Sequence, residues 1–257
     1  MDAYQVEPLA ATVRYHDLPG RDPAFVFLHG LGSASSSCFP RVVREAAFRN
    51  QRLLLIDLLG YGFSDRPAGF DYTMEAQAEI VAALLRALPL ERAVVIGHSM
   101  GGSIGVLLAS AHPELVAHLM SAEGNLDPGP GFVSGIITAD DEPAFVSTGH
   151  RRLVQRVQQA GYPSFAGTVA IADPAALHRS AASLIAPRSR SYREQLAALA
   201  IPKTYIFGER TLPHPDFERL RADGVDVRVV PDAGHNMMEE NPRGFAEVVG
   251  GALDGRP

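Results

Sequence analysis

The sequence predicts an α/β fold with a mostly parallel central sheet, helices on both faces and a helical cap insertion. Two observations predict it. Short apolar segments recur along the 257 residues and alternate with segments of helical periodicity. One long stretch, 127–200, holds no segment typical of a strand and is rich in alanine and arginine. Strands that alternate with helices form βαβ units, so we expect a parallel sheet with the long stretch lying over one end of it.

Six apolar segments have the length and composition of strands buried on both faces. They lie at 24–30, 52–58, 93–97, 116–122, 203–208 and 226–230. Two N-terminal segments, 3–8 and 10–17, alternate weakly, and we expect them to form an antiparallel edge. Helices are predicted at 38–49, 73–88, 100–111, 214–223 and 242–252.

The division of the chain follows from this pattern. We predict that 1–126 and 201–257 form the core, with 127–200 as a helical cap insertion. The insertion begins at "DPGPG", a sequence typical of a turn.

Composition narrows the functional classes. The net charge of -6 argues against nucleic acid as the main partner. The single cysteine, Cys38, allows no internal disulfide, so we expect a cytoplasmic protein. We also expect the Cys38 thiol to be buried and unreactive. "MDAYQVEPLA" has no basic region followed by an apolar run, so we expect no signal peptide, and we expect no membrane association. We expect a monomer or homodimer. The sequence contains no metal-binding or nucleotide-binding motif, so we expect the protein to bind neither a metal nor a cofactor.

The stretch "VVIGHSMGGSIGVLLA" (94–109) contains the main functional signal. It places Ser99 between a strand and a helix, flanked by Gly97 and Gly101 in the pattern G-x-S-x-G. Glycines relieve crowding in a sharp strand–turn–helix that lifts a serine hydroxyl above the sheet. The alternative is a glycine-rich turn with a surface serine. We favour the interpretation that Ser99 is a nucleophile. The backbone N–H of Met100, at the start of the following helix, is then the first predicted donor to the oxyanion.

Four motifs resemble those of the α/β-hydrolase superfamily, in its serine esterase and lipase-like branch. They are "FLHGLGSAS" (27–35), "DLLGYGFSD" (57–65), "GHSMGG" (97–102) and "DAGHNMMEENP" (232–242). The resemblance implies that His235 is the general base and that the backbone N–H of Leu31 is the second oxyanion donor. His29 precedes the loop that contains Leu31, and we expect it to brace that loop. We expect His98 to point away from the site into the packing.

The acid that orients His235 is less directly predicted. Many members of the superfamily carry an aspartate shortly after the strand at 203–208, and Thr211 occupies that place here. Some place the acid after the preceding strand, where this chain has Glu123. We favour Glu123, with Asp216 second and Glu209 last.

We predict a serine hydrolase that cleaves a carboxylic ester of a small to medium, partly apolar substrate through an acyl-enzyme. The same residues suit a lactonase, amidase, acyltransferase or carbon–carbon bond hydrolase, and the fold also suits a non-catalytic ligand-binding or receptor protein. Phe132, Ile136 and Met237 are the predicted substrate-binding residues. Further candidates for the apolar wall are Val133, Ile137, Phe145, Val146 and Phe165.

Overall fold

The computed structural model describes residues 1–254 and contains an eight-stranded sheet in the order β1-β2-β4-β3-β5-β6-β7-β8. The strands are β1 (Asp2–Val6), β2 (Ala11–Leu18), β3 (Arg21–Leu28), β4 (Gln51–Asp57), β5 (Ala93–His98), β6 (Val116–Ala122), β7 (Lys203–Gly208) and β8 (Asp226–Val230). β2 pairs antiparallel with both β1 and β4, and the other neighbouring strands are parallel. The predicted mostly parallel sheet with an antiparallel N-terminal edge is confirmed.

Helices connect and cover these strands. They are α1 (Ser35–Cys38), α2 (Met74–Ala87), α3 (Met100–Ala111), α4 (Phe132–Ile137), α5 (Glu142–Ala144), α6 (His150–Gln159), α7 (Pro163–Ile171), α8 (Pro174–Ile185), α9 (Tyr192–Ala198), α10 (Asp216–Ala222), α11 (Met237–Glu240) and α12 (Pro242–Asp254). Among residues 1–254, no helix is long and apolar enough to cross a membrane.

The sheet separates two apolar cores. Successive side chains of a strand point to opposite faces of the sheet, so an inner strand that contacts both cores is apolar at almost every position. In β3, Val26 and Leu28 face the core that contains α2 and α3, whereas Phe25 and Phe27 face the core that contains α12. All four side chains are at most 2% exposed. Full burial of each such side chain stabilises the fold by roughly 1.5–3 kcal/mol.

The helix predicted at 38–49 is wrong. α1 ends at Cys38, and the chain continues as turns into a short 3-10 helix, Ala46–Phe48. Pro40 has no backbone N–H with which to extend α1. The turns beyond it close over three residues, as in the bond from the Glu45 N–H to the Val42 carbonyl.

Between β6 and β7 the described chain contains helices and no strand. α9 contacts α3 and so belongs to the helical layer on the sheet, although the predicted insertion of 127–200 includes it. We call the others, α4–α8, the insertion helices.

Candidate active site

Ser99 lies in the turn between β5 and α3, with φ 51° and ψ −118°. This conformation is costly for a residue with a side chain, and such strain is typical of functional positions. The turn packs so closely that a Cβ at Gly101 would lie 2.3 Å from the Leu28 carbonyl oxygen, and one at Gly97 2.1 Å from the Gly101 carbonyl oxygen. Only glycine fits at either position, and this explains the flanking residues of the motif.

Glu123 and His235 meet across two loops. Glu123 follows the carboxyl end of β6, and its Oε2 accepts a hydrogen bond from Nδ1 of His235 at 2.7 Å. The Glu123 side chain is 11% exposed, whereas that of His235 is 49% exposed. Because Nδ1 donates to the carboxylate, the other ring nitrogen, Nε2, is left unprotonated in the neutral ring and can accept a proton.

The second oxygen of the Glu123 carboxylate is also fully engaged. Oε1 accepts the Gly208 N–H at 2.9 Å and the Thr211 hydroxyl at 2.6 Å. Burial raises the pKa of Glu123, but the hydrogen bonds from His235, Thr211 and Gly208 outweigh it, and the net shift is downward. The carboxylate is therefore held in its charged form, which can stabilise a protonated imidazole.

The other two candidate acids have different partners. Asp216 begins α10, and its carboxylate pairs with Arg193 at 2.7 Å. Glu209 accepts the backbone N–H of Asp232 at 2.8 Å. The structure thus brings Glu123 to the imidazole of His235.

Replacing Thr211 with valine should reduce kcat by about tenfold and change KM little. Valine keeps the shape of the side chain but removes a donor to a charged carboxylate, a bond that is worth about 1.5–3 kcal/mol. Steady-state kinetics with an activated ester would measure the effect, and Thr211→Ser, which keeps the hydroxyl, is the matched control. Wild-type kcat in the valine variant, or an equal loss in the serine variant, would contradict this role.

His98 does not point away from the site, contrary to the prediction. It is 6% exposed, lies on the cavity wall, and places its ring centroid 4.7 Å from that of His235. Burial and the neighbouring His235 lower the pKa of His98 to about 3. The ring is neutral, and its Nε2–H donates to the His235 backbone carbonyl at 2.9 Å. The residue beside Ser99 therefore holds the loop that carries His235.

His29 joins the loop after β3 to the loop after β4, as expected from its position. Its Nδ1–H donates to the Gly30 carbonyl at 2.9 Å, and its Nε2 accepts the Leu58 N–H at 3.1 Å. Burial lowers the pKa of His29, which agrees with the neutral ring that these two bonds require. Asp57 adds a second brace by accepting the backbone N–H of Phe63 at 3.0 Å.

The two predicted oxyanion donors are Met100, which follows Ser99 at the start of α3, and Leu31, which lies in the loop between β3 and α1. Met100 is the first residue of α3, where a backbone N–H has no partner within the helix and lies at the positive end of the helix dipole. Leu31 lies on the cavity wall, in a turn closed by the bond from the Ser33 N–H to the Gly30 carbonyl at 3.1 Å. A Cβ at Gly30 would lie 3.3 Å from the Ser99 Cβ, so this turn is directly beside the serine.

Ser99, His235 and Glu123 line one cavity of about 620 Å³ between the sheet and the insertion helices. Phe132 and Ile136 also line it, and Val133 and Phe165 are further wall residues. Two other wall candidates, Ile137 and Phe145, are buried in the core instead, and Val146 is on the surface.

The structure does not place Met237 on the cavity wall. Met237 is fully buried in the core beside α12, and the next residue, Met238, contributes to the wall instead. Consecutive residues of a helix point about 100° apart, so a one-residue error in position changes which side chain reaches the cavity.

Sequence reasoning did not identify several polar wall residues. These are Asn125, Asp127, Tyr205, His214, Asn236 and Glu239, and Asp216 lines the cavity although it does not contact His235. Their shared signal is position, because nearly all follow the carboxyl end of a parallel strand, where binding residues of α/β sheets gather.

The cavity contains a strained serine at the carboxyl edge of a parallel sheet and a glutamate–histidine pair. This arrangement is typical of α/β hydrolases with a serine nucleophile. A sequence profile of the alpha/beta hydrolase fold family matches residues 23–135. The sheet order, the strand–turn–helix at Ser99 and this match over 113 of the 257 residues show that the chain has the α/β-hydrolase fold.

Similar sequences include a 2-hydroxymuconate semialdehyde hydrolase from Pseudomonas sp. strain CF600, 33% identical over 117 residues. That match covers 44% of this chain and only 41% of the relative. The AB hydrolase superfamily protein YisY of Bacillus subtilis is 27% identical over 241 residues, covering 86% of this chain and 88% of YisY.

Similar solved structures show the same fold. The enol-lactonase from Burkholderia xenovorans LB400 superposes with a TM-score of 0.80 at 21% identity, covering 98% of this chain and all of the lactonase chain. A thermophilic esterase from Thermogutta terrifontis has a TM-score of 0.77 at 18% identity, covering 99% of this chain and 98% of its own.

Proposed function

We propose that the protein is a serine hydrolase that cleaves a carboxylic ester of a small to medium, partly apolar substrate through an acyl-enzyme. The observation that carries the proposal is the 2.7 Å bond between Glu123 and Nδ1 of His235, in the cavity that Ser99 also lines. This bond leaves Nε2 as the base that a serine nucleophile needs.

The first half of the proposed reaction forms the acyl-enzyme. Ser99 Oγ attacks the ester carbonyl carbon while its proton passes to Nε2 of His235. The backbone N–H groups of Leu31 and Met100 stabilise the oxyanion that develops on the carbonyl oxygen. When the tetrahedral intermediate collapses, the carbon–oxygen bond to the alcohol breaks, and the alcohol leaves with the proton from Nε2.

The second half releases the acid. A water molecule gives a proton to Nε2 and attacks the acyl carbon, forming a second tetrahedral intermediate. Collapse breaks the bond to Ser99 Oγ, which takes the proton back from His235, and the free acid leaves. Throughout both halves the Glu123 carboxylate keeps the imidazole in the productive tautomer and stabilises its charged form.

The insertion helices are proposed to act as a cap that sets substrate size. α4 contributes Phe132, Val133 and Ile136 to the wall, and α6 contributes Leu153 and Val157. These apolar side chains suit the hydrocarbon part of an acyl or alkyl group. The volume of about 620 Å³ suits a small to medium molecule.

Carbon–carbon bond hydrolysis is the second candidate, because the Pseudomonas relative named above is a semialdehyde hydrolase. Lactones and amides are further substrates for the same serine, histidine and glutamate. Measuring kcat/KM on an acyl-chain series of aryl esters beside lactone, amide and β-diketone panels would separate these activities. We expect the esters to be cleaved fastest, with a maximum at intermediate chain length.

Faster turnover of a diketone or lactone than of every ester would replace the proposed reaction while leaving the nucleophile in place. No turnover, together with no reaction between Ser99 and a fluorophosphonate probe, would favour the non-catalytic binding protein.

A further inference from the structure

The cavity wall carries more acidic than basic side chains. Four carboxyl groups line it, those of Glu123, Asp127, Asp216 and Glu239. Among the described wall residues the sole guanidinium is that of Arg156, which lies over the Phe132 ring at 5.9 Å from its centroid. Phe132 is 79% exposed although it lines the cavity, so this cation lies at the opening rather than in the interior.

The histidines on the wall do not offset this imbalance. Burial keeps His98 neutral, with its pKa lowered to about 3. His214 lies beside a wall carboxylate, since its Nδ1 accepts the Asp216 backbone N–H at 3.2 Å and is 3.6 Å from Asp216 Oδ2. His235 is paired with the Glu123 carboxylate at 2.7 Å, and in the proposed reaction its Nε2 is the acceptor of the Ser99 proton.

The cations that compensate the aspartates lie behind the wall. Arg193 pairs with Asp127 at 2.6 Å and with Asp216 at 2.7 Å, but it is not itself a wall residue. Arg219 approaches Asp216 at 3.7 Å and is also absent from the wall. Each ion pair therefore presents its negative end to the cavity.

Glu239 adds a further carboxyl group to the wall, and Arg41 is the cation that acts on it. Burial raises its pKa, Arg41 opposes that effect, and Glu240 adds to it. The carboxyl is four residues beyond His235, on α11, and its environment already disfavours negative charge. A second anion brought into the cavity would increase this unfavourable interaction.

We propose that the cavity selects its substrate by charge: it accepts neutral esters and rejects esters that carry a free carboxylate, with Asp216 and Glu239 as specificity-determining residues. This inference rests on the proposed ester hydrolysis at the same site. A carboxylated substrate would need a cation inside the cavity to replace its lost hydration, and the described wall has none there.

A matched pair of esters tests the inference. One is the mono-nitrophenyl ester of adipic acid, and the other is the nitrophenyl ester of the acid in which an isopropyl group replaces the free carboxylate. The two have similar shapes and differ in charge. We expect kcat/KM for the neutral ester to exceed that for the anionic ester by about tenfold to a hundredfold, which is the size of a like-charge interaction at the effective dielectric of a partly buried site.

The variants Glu239→Gln and Asp216→Asn should each raise the relative kcat/KM of the anionic ester several-fold. Glu247→Gln is the matched control, because it removes one negative charge from the exposed face of α12, where Glu247 pairs with Arg243. It should leave the ratio unchanged. Added salt should raise turnover of the anionic ester more than that of the neutral one.

Two measurements keep this inference separate from the proposed function. Calorimetric binding of both esters to Ser99→Ala gives the charge preference without turnover, and thermal unfolding identifies a variant that has lost its fold. Equal affinities, equal kcat/KM values, or a ratio that neither variant changes would overturn the charge selection. Tighter binding of the neutral ester than of the anionic ester, without hydrolysis of either by the wild type, would overturn the proposed reaction and leave the charge preference supported.

Discussion

Replacing Ser99 with alanine should lower kcat for ester hydrolysis by about 10⁶-fold, the loss seen when a triad serine is removed from a serine hydrolase. In the proposed reaction the hydroxyl oxygen of Ser99 forms the covalent intermediate, and the backbone donors alone would support only residual catalysis. A fluorophosphonate probe followed by intact-mass measurement would show one adduct on the wild type and none on the variant.

Cys38 provides the control for that experiment, because its thiol also lies on the cavity wall. Burial raises the pKa of Cys38, so the thiol stays protonated and unreactive. Cys38→Ala should therefore keep the probe adduct. If the adduct persists in Ser99→Ala and is absent in Cys38→Ala, the nucleophile is Cys38 and the assignment to Ser99 is wrong.

Replacing Glu123 with glutamine should lower kcat by about 10³- to 10⁴-fold, with a much smaller change in KM. Glutamine has nearly the same shape, but it cannot stabilise a charged imidazole and does not enforce the tautomer in which Nε2 accepts the proton. It also presents one amide NH₂ group where the carboxylate has two acceptors, so the donors on Gly208, Thr211 and His235 cannot all be satisfied.

Asp216→Asn is the matched control for this change, since Asp216 is the second candidate acid and lines the same cavity. Its carboxylate pairs with Arg193, so its loss should reduce turnover of a neutral ester far less than the loss of Glu123. The opposite order, with Asp216→Asn nearly inactive and Glu123→Gln nearly normal, would reverse the assignment of the acid.

The same glutamate makes folding depend on pH. The folded-state pKa of Glu123 is below its usual value, so its charged form stabilises the fold above the unfolded-state pKa. That contribution is lost as the pH falls through the lower, folded-state value. Denaturant unfolding over the acidic range should show a smaller fall in the free energy of unfolding for Glu123→Gln than for the wild type.

Much of the architecture followed from sequence because it depends on local patterns. Apolar segments of strand length placed β3 to β8 within a few residues. The signal is strongest for the inner strands, such as β5, in which every residue is buried, whereas β8 at the sheet edge is mostly half-buried. The turn that carries Ser99 also followed from a local pattern, because two positions that exclude a Cβ, Gly97 and Gly101, must be glycine. Pro40 shows the limit of periodicity, because its missing N–H interrupted a helix that the apolar spacing favoured.

The sequence by itself determined the α/β architecture, the position of Ser99 and a short set of candidates for its partners. Glu123 led that set because Thr211 stands where an aspartate is common, yet sequence could not show that Thr211 donates to Glu123. Tertiary structure decided two further points. His98 contacts the loop that carries His235, and Met238 rather than Met237 lies on the cavity wall. The physical reason is that these contacts join residues more than eighty positions apart or depend on a rotation of about 100° per residue, and neither leaves a periodic signal in the chain.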